Sequence, residues 1–483
     1  MALDWAHRGT SHVQFQAEEA VPLEQGRFLG HGMNGGVYET TCLGMAVAWK
    51  RRYCRRQIGT QELREMDILK KLDHRHIVKL VGTYTHESFL GILLWPVATC
   101  DLGTFMEDVD HLVSHQSMQS DYDPEIDYQS MEQRLRQLRI DTFSDWPSAR
   151  RAALLRLKQS IGCIASAIVY LHEQSIRHKD IKPSNILLTP TGLYVTDFGT
   201  STDFSGFSQS VTQNGERGTP KYFAPEVAEY EPNGRSADIF SLGCVFLEMI
   251  GLCNQYSLSS MLALRPKKDR SFHANLDSIM RWFNFSGTEV QWPADQHLLA
   301  LARQMLSRDP QKRPTADHIE RRLHLIDAIQ RPRPSTPLRR ACCRPELPLP
   351  MAGMEHAGTR RAHATVEIGN WHQDISPGHS WRFFVRFPSI ESIVDSVHLF
   401  LHPSFQNPYH VKTQPPYEFN GKGWGFFTIT ILVSLRPGYW WTSADAAVGL
   451  EKESLMPLYW TLDFSRDLTV SKVALEIATM SSG

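Results

Sequence analysis

The chain has 483 residues, 42% of them hydrophobic, and its 51 basic side chains nearly balance 52 acidic ones. That length and apolar fraction suit two domains with sizeable cores, and the balanced charge excludes a chain-wide attraction to nucleic acid or anionic membranes. The eight cysteines are scattered without Cys-x-x-Cys spacing, only Cys342 and Cys343 being neighbours, which suits free thiols in a reducing compartment and argues against a zinc site.

Residues 1–24 form an N-terminal lead. Its start, Met1-Ala2-Leu3-Asp4-Trp5-Ala6-His7-Arg8, has no apolar signal-peptide core, so a cytoplasmic or nuclear location is expected rather than secretion. Next comes Gly30-His31-Gly32-Met33-Asn34-Gly35-Gly36-Val37. A dinucleotide-binding turn would need a helix after it and an acidic residue about 20 positions on. Here the following Val37-Tyr38-Glu39-Thr40-Thr41 reads as strand, and the stretch near Tyr53-Cys54-Arg55-Arg56 is basic. A glycine loop between two strands lets backbone approach phosphates with no side chain in between. Lys50 ends the apolar strand Met45-Ala46-Val47-Ala48-Trp49. Residues 61–72 carry Leu63, Met66, Leu69 and Leu72 at helical spacing.

Residues 107–147 hold an acidic stretch, Asp121 to Tyr128, then a basic one, Met131 to Ile140, without a sustained period. A disordered loop is expected there, with a partner-docking segment as the sharper alternative. Further on stand Ile176-Arg177-His178-Lys179-Asp180-Ile181-Lys182-Pro183-Ser184-Asn185, then Asp197-Phe198-Gly199, a hydroxyl-rich loop from Thr200 to Gly218, and Ala224-Pro225-Glu226. Ser236 to Ile250 reads as a core helix, broken by Asp238 and Glu248 and so no membrane span.

In this order the motifs resemble a eukaryotic-type protein kinase, with its bilobal α+β fold, over residues 25–330. The resemblance implies ATP and Mg²⁺ as cofactors and a protein hydroxyl as acceptor. It places Leu29, Gly30, Gly32, Gly35, Val37, Ala48, Lys50, Val97, Asp101 and Leu187 around the nucleotide. Lys50 would hold the α- and β-phosphates and pair with Glu65, Glu62 being the runner-up. Asp180 would accept the acceptor's proton, Lys182 would face the transferring phosphoryl group, and Asn185 and Asp197 would hold the metal. Leu69, Leu80, His178 and Phe198 would stack as an apolar column, and Arg313 would pair with Glu226. Lys182 and Thr219 resemble the serine/threonine class. Lys179 replaces the usual arginine, offering a point charge instead of a fork for a phosphorylated loop, so full activity without loop phosphate is expected, with Arg177 as the fallback clamp. The competing reading is a catalytically weak kinase-fold scaffold acting as a binding adaptor.

A Pro/Arg-rich linker is expected over residues 331–362, solvated rather than bound to nucleic acid. Beyond it, residues 363–478 show short β-rich runs, Trp381 to Phe387, Ser396 to Leu401 and Phe426 to Val433, divided by Pro and Gly turns. That is an all-β sandwich pattern. Leu399-Phe400-Leu401-His402-Pro403-Ser404-Phe405 and Gly423-Trp424-Gly425-Phe426 are similar to YEATS domains, immunoglobulin-like modules whose nuclear members read acylated lysine on histone tails. The resemblance implies Phe405 and Trp424 as aromatic walls, with His402 and Ser404 beside the acyl-amide. Core packing of Phe405 and Trp424 is the equal alternative. Gly438 to Asp467 follows no recognisable pattern, and a fragment beginning near Ala362 is expected to fold alone.

Overall fold

The first strands form a six-stranded sheet in the order β1-β5-β6-β4-β3-β2. Its strands are β1 (His12–Phe15), β2 (Phe28–Gly32), β3 (Gly35–Cys42), β4 (Met45–Tyr53), β5 (Lys79–His86) and β6 (Phe89–Trp95), with helix α1 (Thr60–Lys71) inserted after β4. The computed structural model describes residues 4–32, 35–54, 60–114, 127–140, 145–205, 218–286, 293–329, 338, 359–375, 379–401, 405, 407–423, 427–443, 445–448, 454–462, 464 and 466–480.

The N-terminal lead is part of this sheet. β1 runs parallel to β5, and Trp5, Val13 and Phe15 are buried with Trp49 and Tyr84. Gly82 makes room for Trp5, since a Cβ there would lie 2.0 Å from the indole ring. In α1, Met66 and Leu69 are buried, as is Leu72 just past its end, whereas Leu63, expected on the same face, is 46% exposed.

The helical region holds α2 (Leu102–Ser114), α3 (Tyr128–Gln137), α4 (Trp146–Glu173), α5 (Pro225–Ala228), α6 (Arg235–Cys253), α7 (Leu258–Ala263), α8 (Leu276–Ser286), α9 (Pro293–Met305) and α10 (Ala316–Ile329). Short strands β7 (Cys100–Asp101), β8 (Ile176–Arg177), β9 (Ile186–Leu188), β10 (Leu193–Val195) and β11 (Thr202–Asp203) carry the loops between them. Helices α4 and α6 are long and apolar enough to span a bilayer by length and composition, but 72% and 83% of their apolar windows are buried inside the protein.

The expected loop over 107–147 is corrected. α2 continues unbroken through Glu107 to Ser114, and α3 starts where Asp127 accepts from the Ser130 N–H at 3.0 Å. Met131 and Leu135, then Leu138 and Ile140, are buried. Residues 115–126 and 141–144 lie outside the described ones.

The chain divides into two compact units, Met1–Ile279 with Gln304–Asp317, and Met280–Arg303 with His318–Gly483. The second unit holds two five-stranded antiparallel sheets. One is ordered β16-β13-β12-β21-β18 and the other β15-β14-β17-β20-β19. Their strands are β12 (Thr359–Asp374), β13 (His379–Arg386), β14 (Val394–Phe400), β15 (Tyr409–Lys412), β16 (Tyr417–Gly423), β17 (Thr428–Leu435), β18 (Tyr439–Trp441), β19 (Ala447–Val448), β20 (Ser454–Thr461) and β21 (Leu468–Met480). Inward residues of both sheets form one apolar core. The Trp441 indole donates to the Val433 carbonyl at 3.1 Å, and the Trp460 indole to Asn370 Oδ1 at 2.9 Å.

Parts of α9 and α10 belong to this second unit. The His297 ring sits 4.9 Å from Phe400, the Arg322 guanidinium 4.0 Å over Tyr409, and the Tyr459 hydroxyl donates to the Ile329 carbonyl at 2.9 Å. The expected boundary near 330 therefore falls inside a compact unit. Ala362 is itself mid-strand, opposite Ile477. A fragment starting there would lose the first three of β12's pairs with β21 and the helical cover over Phe400 and Tyr409, so independent folding from Ala362 is no longer expected.

His398 adds a pH dependence to this unit. Its ring nitrogens meet Ser396 Oγ at 2.9 Å and Tyr409 Oη at 2.8 Å. Burial, helped by the Arg322 cation, lowers its pKa to about 4 from the ordinary 6.5. The unfolded chain then binds this proton at higher pH than the folded one. The stabilisation is complete above pH 6.5 and is lost as pH falls to about 4, on the order of 3 kcal/mol in all. Denaturant unfolding of the second unit, followed between pH 7 and 4, should show that loss, and His398→Gln should flatten it.

Candidate active site

Strand β4 carries Lys50 out of a buried run, and α1 supplies its partner. Lys50 Nζ lies 2.8 Å from Glu65 Oε1 and 3.1 Å from Asp197 Oδ1. Glu65 is 1% exposed, and its other oxygen takes the Arg52 guanidinium at 3.0 Å. Burial works against the Lys50 charge, but the Glu65 and Asp197 carboxylates outweigh it and hold the ammonium above its ordinary range. Asp197 shows the mirror case. Burial pushes it up, and Lys50 with the neighbouring cations brings it below the usual carboxylate range. The side chain of Glu62 lies outside the described ones.

The loop after β8 hangs from α6. The buried Asp238 accepts from the backbone N–H groups of His178 and Lys179, each at 2.9 Å, and from the His172 ring at 3.1 Å. Burial alone would raise its carboxyl, yet His172, Arg177 and His178 hold it at about 2. The loop presents Asp180, whose Oδ2 accepts from Lys182 Nζ at 2.8 Å and from Asn185 Nδ2 at 3.1 Å. Its Oδ1 accepts from the Thr219 N–H at 2.7 Å, and Lys182 Nζ also reaches Thr219 Oγ1 at 2.6 Å. Gly218 permits this approach, because a Cβ there would lie 2.5 Å from both Asp180 Oδ1 and the Lys179 carbonyl.

Asp197 has φ of 65°, a left-handed backbone that turns Phe198 inward. Phe198 is buried and lies 5.1 Å from the His178 ring, whose Nε2 is 2.9 Å from the Thr196 carbonyl. Leu69 and Leu80 are buried as well. Lower down, Arg313 grips Glu226 through two bonds of 2.7 and 2.8 Å.

Between the sheet and the helical region lies a cleft of about 580 Å³. Of the residues the sequence assigns to a nucleotide and its metal, Leu29, Gly30, Val37, Ala48, Lys50, Asp101, Asn185, Leu187 and Asp197 line it. Gly35 and Val97 do not, and Pro96, Ala98 and Thr99 form the hinge wall in place of Val97, while Gly32 falls among the residues whose surroundings lie outside the described ones. Gly35 answers a different demand, since a Cβ there would overlap the Arg51 carbonyl. Cys100 also lines the cleft, but burial, with the Asp108 and Asp101 charges, pushes its thiol up to about 12. The sequence reading missed Val78, Thr104 and the α3 residues Ser130, Gln133, Arg134 and Gln137.

A family model described as protein kinase domain matches residues 23–324, more than half of the chain. The chain belongs to the protein kinase family. A second model, the YEATS family, matches residues 376–447 within the β-sandwich. This kinase is similar to mitogen-activated protein kinase kinase kinase A of Dictyostelium discoideum, 24% identical over 66% of the chain and 30% of that relative. It is also similar to cytokinesis protein sepH of Aspergillus niger, 32% identical over 52% of the chain and 16% of sepH. Mitogen-activated protein kinase kinase kinase 19 of Mus musculus is 29% identical over 48% of the chain and 16% of the relative. The matched stretches thus span less than a third of these relatives' own length.

The buried Arg177 guanidinium donates to the Asn233 carbonyl at 2.8 Å and to Asn233 Oδ1. Ser208, Ser210 and Thr212 lie outside the described residues, as do His402, Ser404 and Trp424 of the YEATS match. Phe405 is half-buried at the edge of the sandwich core, 5.1 Å from Phe427 and 6.1 Å from Trp381.

Proposed function

We propose that this kinase transfers the γ-phosphoryl group of ATP to serine or threonine hydroxyls of a protein substrate, with Mg²⁺. The observation that carries the reading is the convergence on one cleft of Lys50, already tied to Glu65 and Asp197, with Asn185 and Asp197 on the same lining. The residues suit the implied cofactors. Asn185 gives its Nδ2 hydrogens to Asp180, so its amide oxygen is the group left to face a cation, and the Asp197 carboxylate is the hard donor beside it. Bound there, magnesium would offset phosphate charge. Lys50 is positioned to hold the α- and β-phosphates. Asp180 is positioned to orient the acceptor hydroxyl and take its proton, and Lys182, bridging Asp180 and Thr219, to set a fixed cation beside the transferring group. That Lys182–Thr219 contact is what favours serine and threonine over tyrosine. Incubating the purified chain with ATP and Mg²⁺ and mapping phosphosites should give phosphoserine and phosphothreonine on itself or on a generic basic protein. Phosphotyrosine alone would overturn the acceptor class, and no incorporation would favour the adaptor reading.

For the YEATS region, we propose an acyl-lysine reader that places the kinase at acylated histone tails, in nucleus or cytoplasm. Phe405 supports it, since it closes the core edge without being fully buried within it. Titration of the full chain with acetylated, crotonylated and unmodified histone peptides tests it, and equal binding of all three leaves Phe405 a core residue.

A further inference from the structure

Helix α3 builds a wall of the cleft proposed for the nucleotide. Helix α3 shows two faces. Met131 and Leu135, with Leu138 beyond its end, are buried on one. Ser130, Gln133, Arg134 and Gln137 recur at i, i+3, i+4 and i+7, one polar stripe, and all four line the cleft together with Lys50, Asp101 and Asp197. The helix is clamped there. Arg134 Nε and Nη2 bond both oxygens of Asp108 on α2, the Nε contact at 3.0 Å, and Asp108 is 3% exposed. A fork onto a buried carboxylate fixes orientation as well as position.

Asp101, the residue expected to meet the ribose, is turned onto its own helix. Its Oδ1 accepts from the Thr104 N–H and its Oδ2 from the Thr104 hydroxyl, both at 3.1 Å, so the carboxylate caps α2. Ser130 is engaged likewise with the capping Asp127. The groups of the stripe that remain for a ligand are the exposed carboxamides of Gln133 and Gln137, each offering two N–H donors and one acceptor oxygen. We infer that α3 is a ribose-recognition element: Gln133 and Gln137 hydrogen-bond the 2′- and 3′-hydroxyls of the nucleotide, the task that Asp101 leaves open. The inference rests on the ATP-site reading above.

The test compares ATP with 2′-deoxyATP in the full chain, by equilibrium titration as well as by turnover. Gln133→Ala/Gln137→Ala should weaken ATP about tenfold, one or two lost hydrogen bonds, while 2′-deoxyATP changes less and kcat stays near wild type. Gln133→Glu/Gln137→Glu, which keeps acceptors, should restore part of the preference for ATP. Unchanged ATP affinity, or equal loss for both nucleotides, overturns the inference. So does a change confined to the KM of the protein substrate, which would make α3 a peptide contact. Failure of the wild-type chain to bind any adenine nucleotide would instead sink the ATP-site reading, a separate result. Circular dichroism and melting of each variant separate loss of contact from loss of α3.

Discussion

Asp180→Asn is expected to lower phosphoryl transfer by roughly 10²- to 10⁴-fold, the usual worth of a positioned base, while ATP affinity stays close to wild type. Both Asp180 oxygens face donors: the Thr219 N–H, the Lys182 ammonium and the Asn185 amide. An amide at this position presents its own N–H₂ to one of them, so the substitution removes the base and also loosens the link to Thr219. Lys50, which would hold the phosphates, reaches Glu65 and Asp197 and is not bonded to Asp180. Incorporation of labelled phosphate, set against titration with a fluorescent nucleotide, separates the two effects. Equal turnover in wild type and variant would remove Asp180 from the reaction.

Gly218→Ala should cost about as much by a different route. The new methyl would meet Asp180 Oδ1 and the Lys179 carbonyl at 2.5 Å, and neither is the far end of a flexible side chain. The strand of loop carrying Thr219 must move, and with it go the bonds from Thr219 to Asp180 and Lys182. A displacement near 1 Å at a reacting group commonly lowers the rate about 10²-fold. The expected signature is a fall in kcat with nucleotide affinity and melting temperature near wild type. A fully active Gly218→Ala would mean that the contact between this loop and Asp180 is dispensable.

The contacts of Lys50 with Glu65 and Asp197, and of Asn185 with Asp180, were legible in the sequence because the chemistry proposed for these residues needs particular residue types at fixed places. Lys50, Asp180, Asn185 and Asp197 have no easy substitutes, and the Lys50–Glu65 separation of one strand and one helix is set by geometry. Hinge details were less legible. Backbone direction decides which of Pro96, Val97 and Ala98 faces the cleft, and composition says nothing of that. Helix α3 was hidden for a physical reason. Its apolar positions, Met131 and Leu135, are sparse among Arg134, Arg136 and Gln137, and the carboxylate that receives Arg134 lies on a different helix, 26 residues upstream. Only tertiary contact reveals the pairing. Among the late strands, β18 and β19 are too short for a period to show, and Pro457 stands inside β20, where an isolated reading would end the strand. At the other end, Thr359 to Ala362 read as linker because their neighbours are rich in proline and arginine, yet they pair with Ile477 to Met480.

The membership of the second compact unit, with residues 280–303 inside, 304–317 outside and 318 onward inside again, has a consequence for biogenesis. A ribosome delivers the chain in order, so His297 and Arg322 leave the tunnel well before Phe400 and Tyr409, the rings they rest on, have been made. These helical segments must wait in a provisional state, with apolar surface exposed, until β14 and β15 are complete. A stop codon anywhere between residues 330 and 400 would therefore leave a chain whose catalytic motifs are all present while part of its carboxyl-terminal helical layer has nothing to close on, a natural substrate for chaperones and quality-control proteases.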